Sequence, residues 1–127
     1  MVSRDYRENS EFQEDVEIDL VQIKTSPSSK EVMMHPEFRN HFDDDMEKIK
    51  FAVCIAIQYE REPSVTDGSF KTSHNWANFD RDERMSGLLA AYKKSTTPAR
   101  LVTELAETGF RIIKDKFNEG QTLRDLV

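Results

Sequence analysis

A chain of 127 residues with a net charge of −6 has the size of one domain and can bury a core without a disulfide or metal staple. Its single cysteine, Cys54, excludes an internal disulfide and fits a reducing compartment. The acidic balance excludes the strongly basic footprint of an autonomous nucleic-acid binder, and it is uneven: residues 1–47 carry −8 and residues 48–127 carry +2.

Residues 1–14 are polar, with Tyr6 and Phe12 as the sizeable apolar groups, and are expected to form a flexible acidic arm before a single helical domain over 15–127. The N-terminus lacks the apolar centre of a signal peptide, and the longest apolar run, Phe51–Ile57, is far too short to span a bilayer. A cytoplasmic protein with no membrane contact is therefore expected. In Val16–Lys24 the alternation of Val16, Ile18 and Leu20 suits a strand, while Phe12, Val16, Leu20 and Ile23 suit a helical face about equally. The β-branched residues tilt the balance toward strand.

Thr25-Ser26-Pro27-Ser28-Ser29 reads as a break, followed by a short helical turn over Lys30–Met34 and a short helix at Pro36–Phe42. A longer helix is predicted from about Asp44 to Glu60, where the aspartates offer acceptors and negative charge to the free N–H groups. Its run Met46–Gln58 is apolar almost all round, as befits the central element of a small core or a subunit interface. Cys54 lies inside this run and is expected to be buried and unreactive.

Residues 61–79 read as a long irregular connection pinned to the core by Phe70, Trp76 and Phe79. A helix over about Arg81–Lys94 follows, with Asp80 as N-cap and Glu83 completing a capping box. The last long helix is predicted over Pro98–Asn118, capped by Thr97 and stopped by Gly120. Gly109 lies inside it, which predicts a close backbone approach. Leu123–Val127 forms an apolar tail.

Four groups of residues were candidates for chemistry. His35, His41 and the Asp43–Asp45 run could ligate a metal, but His35 and His41 are six apart and fall on opposite sides of a helix. A solvated acidic helix start explains them better, and no metal or cofactor is expected. The segment around His74, Trp76 and Phe79 mixes polar and aromatic groups in a loop, where partner surfaces are often found. Paired carboxylates are expected by chance among 24 acids, and four glycines build no phosphate loop. Lys93, Lys94 and Arg100 flank the turn Ser95–Pro98, which could hold one or two phosphates of a nucleic acid.

Ala52-Val53-Cys54-Ile55-Ala56-Ile57 and Glu107-Thr108-Gly109-Phe110-Arg111-Ile112-Ile113 carry one resemblance. The layout resembles small helical accessory proteins of bacterial DNA-modification and phage-defence islands, including the E component of DNA phosphorothioation systems. An apolar Ala-containing helix, an irregular middle and a late Gly-apolar-x-x-apolar helix recur over about residues 44–117. The resemblance implies a helical protein associated with DNA or with a complex and lacking an active site of its own. The acidic charge of this chain departs from a DNA binder of that kind, and no functional residue is carried over.

The expectation is thus a mainly α, compact domain of three to five helices, with room for one short N-terminal strand. It would act as a non-enzymatic binding or adaptor protein with a protein partner and weak DNA contact. A homodimer would form through the apolar faces of Ile49–Ile57 and the tail. The alternatives are an oligomeric DNA-binding regulator using Lys93, Lys94 and Arg100, and a small metal-dependent enzyme using His35, His41 or His74.

Overall fold

The computed structural model describes residues 22–64, 70–93 and 97–127. The expected N-terminal arm, residues 16–21 of the expected strand, and Lys94 lie outside these residues. The chain is mainly helical. In order, the described elements are β1 (Gln22–Thr25), α1 (Pro27–Met33), α2 (Pro36–His41), α3 (Asp45–Gln58), β2 (Lys71–Asn75), α4 (Trp76–Phe79), α5 (Arg84–Tyr92), α6 (Pro98–Asn118) and α7 (Leu123–Leu126).

The molecule is organised around α6, whose bounds match the sequence expectation. Pro98 takes its first position, where no N–H is needed, and Gly120 at φ +85° ends it. Gly120 N–H donates to Phe117 O at 2.9 Å and Gln121 N–H to Lys116 O at 3.0 Å, the paired bonds of a Schellman turn. From Ala99 to Phe110 every residue except Glu104 is buried. The central, most enclosed helix is therefore α6, not the apolar Met46–Gln58 run.

That run forms α3, started by Asp44, whose Oδ1 accepts the Glu47 N–H at 2.9 Å. It ends in a second Schellman pair, Glu60 N–H to Ile57 O and Arg61 N–H to Ala56 O, with Glu60 forced to φ 55°. Ile49, Ala52, Val53, Ile55 and Ala56 are buried, but Cys54 is exposed, which corrects the expected buried thiol. Against the enclosed Ala99–Phe110 stretch of α6, α3 covers one side and leaves its own far side to solvent. The crossing is tight: a Cβ on Gly109 would stand 1.9 Å from the Ala52 carbonyl oxygen. Only glycine permits this approach.

Phe38 of α2 joins the two helices, with ring centroids 6.0 Å from Phe51 and 5.9 Å from Phe110. The tail, expected to dock on the body or on a partner, docks on the body. Leu123 and Leu126 of α7 are buried, Leu123 N–H donates to Glu37 Oε1 at 2.9 Å, and Gln58 Nε2 donates to Leu126 O at 2.8 Å.

The expected strand is seen at Gln22–Thr25, and a partner was missed. β2 pairs antiparallel with β1, Ile23 opposite His74 and Lys24 opposite Thr72, so Ser73 is the extra residue of a bulge. Residues 71–75 (KTSHN) show no apolar alternation, so their strand conformation is imposed by β1 and not announced by sequence. The expected break at residues 25–29 is also corrected. Ser26 caps α1 by accepting the Ser29 N–H at 3.1 Å, and Pro27 opens that helix. Finally, α5 starts at Arg84 rather than Arg81. Asp80 is not its N-cap residue, yet its Oδ1 reaches over to accept the N–H groups of Met85 at 2.9 Å and Ser86 at 3.2 Å.

Candidate functional site

The polar residues of α6 recur at helical spacing, Arg100, Thr103, Glu104, Glu107, Thr108 and Arg111, and would ordinarily form a solvated face. Here β1, the start of α1 and the segment after α3 cover that face. The Glu107 carboxylate accepts the Ser26 N–H at 3.3 Å, the Ser26 hydroxyl at 2.9 Å and the Ser29 hydroxyl. Thr103 Oγ1 accepts the Lys24 N–H at 3.2 Å and donates to Ala99 O at 3.0 Å. Thr108 Oγ1 accepts the Ser64 N–H at 3.0 Å, and Arg111 Nη2 donates to Ser64 Oγ at 2.5 Å. These groups hold the edge segments onto α6.

Arg100 belongs to this stripe, and its place corrects the expected phosphate-binding corner. Its side chain is fully buried and its Nε meets Glu104 Oε2 at 3.2 Å. The helix enters the core within its first turn, so the guanidinium turns inward. Burial raises the Glu104 carboxyl above its ordinary pKa, and the Arg100 hydrogen bond and charge oppose that rise. Lys93 is exposed just after α5, and Lys94 lies outside the described residues. Lys93 and Arg100 thus share no open surface.

The histidines hold separate posts. His35 caps α2, its Nδ1 accepting the Glu37 N–H at 3.1 Å, and its ring stacks on Phe117 at 4.0 Å. His41 Nδ1 lies 2.7 Å from Glu37 O. His74 sits half-buried in β2, where burial lowers its pKa and the Asp45 and Asp44 carboxylates work against that. Among the described residues, no three His, Cys, Asp or Glu side chains gather as a metal site would require. Trp76 and Phe79 pack 5.9 Å apart, Phe79 buried and Trp76 half-buried, with the Lys50 ammonium 5.3 Å from the Phe79 ring. They pin this part of the chain to the core.

An open cleft that the sequence reading missed lies where α1 meets the sheet. It measures about 350 Å³ and is lined by Thr25, Pro27, Lys30, Glu31, Met34 and Lys71. Thr25 ends β1 opposite Lys71 of β2. Pro27, Lys30, Glu31 and Met34 follow at i, i+3, i+4 and i+7, one face of α1. Met34 is 69% exposed and, with Val127, is one of the two large apolar side chains left exposed among the described residues. Thr25 is 2% exposed, yet its Oγ1 has no hydrogen-bond partner among the described residues. The 27/30/31/34 spacing would have shown this face, had the helix been started at Pro27.

Comparison with protein-family models, curated proteins and solved structures finds no match for this chain. Among the described residues no helix is long and apolar enough to cross a membrane.

Proposed function

We propose that the protein is a non-enzymatic adaptor that docks a protein partner at the cleft between α1 and the sheet. The observation that carries this reading is the pairing of the exposed Met34 with the unpartnered hydroxyl of Thr25 in one cleft. Most polar groups of α6 are answered by β1, α1 and Ser64, with Arg111 Nη1 the exception, while the Thr25 hydroxyl has no partner among the described residues and Met34 stays exposed beside it. A setting in a bacterial DNA-modification or phage-defence complex is part of the proposal and is supported by the resemblance over 51–57 and 109–113. Those stretches meet at Ala52 and Gly109, so the resemblance bears on architecture and the cleft bears on binding.

A photo-crosslinking amino acid placed at Met34, and separately at exposed Asp115 on the far end of α6, tests the reading in the native host. One discrete adduct from position 34 and none from 115 is expected. No adduct at 34, or the same adducts at both positions, would refute docking at this cleft.

A further inference from the structure

We infer that the cleft takes an acidic peptide segment of its partner, with one carboxylate side chain beside an apolar one. This rests on the adaptor reading above. Lys30 of α1 and Lys71 of β2 stand on two walls of the cleft, both exposed, and neither forms an ion pair among the described residues. Lys48, Lys50 and Lys116 pair with Asp45, Glu47 and Glu119 at 3.3, 3.7 and 3.8 Å, while Lys93 and Lys114 are exposed without an ion pair among the described residues but do not share a cleft wall with another lysine. Glu31 puts one negative charge on the same rim. The lining therefore carries two positive charges against one negative, which suits a single carboxylate better than a phosphate or a polyanion.

The hydroxyl of Thr25 supplies the hydrogen bond. Buried polar atoms in native structures are nearly always partnered, so one left open beside a cleft points to an acceptor or donor that arrives from outside. Pro27 and Met34 supply apolar contact for a neighbouring side chain. Met34 remains mostly exposed, and a small free acid seated between the lysines would leave it so. A peptide that lays a second side chain on Met34 covers it.

The test uses the full-length ¹⁵N-labelled chain titrated with three probes: acetyl-Leu-Glu-Leu-amide, acetyl-Leu-Gln-Leu-amide and hexanoate. The Glu peptide is expected to shift the amide signals of Thr25, Lys30, Met34 and Lys71, and to bind about fivefold tighter than the Gln peptide. The double variant Lys30→Ala/Lys71→Ala should weaken it about tenfold, and the near-isosteric Thr25→Val about threefold. Equal affinity for the Gln peptide, shifts centred elsewhere, or no shifts at millimolar peptide would overturn the inference. Hexanoate binding as tightly as the Glu peptide would reassign the cleft to free organic acids and overturn it too. Failure of the peptide while position 34 still cross-links to a partner would sink the acidic assignment alone; failure of both would sink the docking reading as well.

Discussion

Glu107 shows what a buried carboxylate does here. It ties the Ser26 N–H and the hydroxyls of Ser26 and Ser29 to α6. Glu107→Ala leaves those donors buried and unanswered and should cost about 3 kcal/mol, read as a lower urea midpoint. An unchanged midpoint would contradict the tie. Glu104 gives a pH signature. Its carboxyl is raised by burial, so the native state holds the proton to higher pH than the unfolded chain does. Stability should therefore fall as pH rises from the ordinary carboxylate range through the raised native pKa, then level off. Denaturant midpoints between about pH 4 and pH 7 should show this fall, and Glu104→Gln should flatten it. Cys54 should label stoichiometrically in the folded protein because it is exposed, while partial burial of its sulfur raises the thiol pKa, so the rate should keep climbing beyond the ordinary thiol range. Labelling only in denaturant would contradict its exposure. Arg100 and Cys54 were both misplaced from sequence for one reason. Periodicity says which residues share a face, and not which faces another element covers.

At the scale of elements, the ends of α6 were legible because Thr97-Pro98 and Gly120 are strong local signals, and so was the start of α3 at Asp44. What stayed hidden depends on partners distant in sequence. β2 is polar throughout and becomes a strand only against β1. The start of α1 was masked because Ser26-Pro27 can open a helix as well as break one. Gly109, by contrast, was read correctly as a close approach. Gly109→Ala gains about 1 kcal/mol in helix propensity. Its methyl would overlap the Ala52 carbonyl, at 1.9 Å, so the variant should nevertheless melt several degrees lower. A higher melting temperature would mean the α3–α6 crossing is looser than this. Glu60 sits at φ 55° in the turn that ends α3. Glu60→Gly should relieve that conformation and stabilise the protein by about 1 kcal/mol in thermal unfolding.

At the scale of the whole molecule, the mainly helical class was legible from apolar periodicity. The cleft was not, because it is built from three elements of which one was missed and another misstarted. Of the two surfaces that suggested a homodimer, the tail reads differently once folded, while α3 keeps Phe51 and Ile57 half-buried. Leu123 and Leu126 are docked, and among the described residues the exposed large apolar side chains are Met34 and Val127. Light scattering at tens of micromolar should accordingly report a single chain of 14.8 kDa. A mass near twice that value would restore the dimer. Docking at the cleft is tested most directly by Met34→Asp, which puts a charge on an exposed side chain that the core does not need. The tagged variant and the wild type are purified side by side from the native host, and their melting temperatures compared. Loss of the wild type's stoichiometric partner at an unchanged melting temperature is expected; full retention of that partner by Met34→Asp would contradict docking at the cleft.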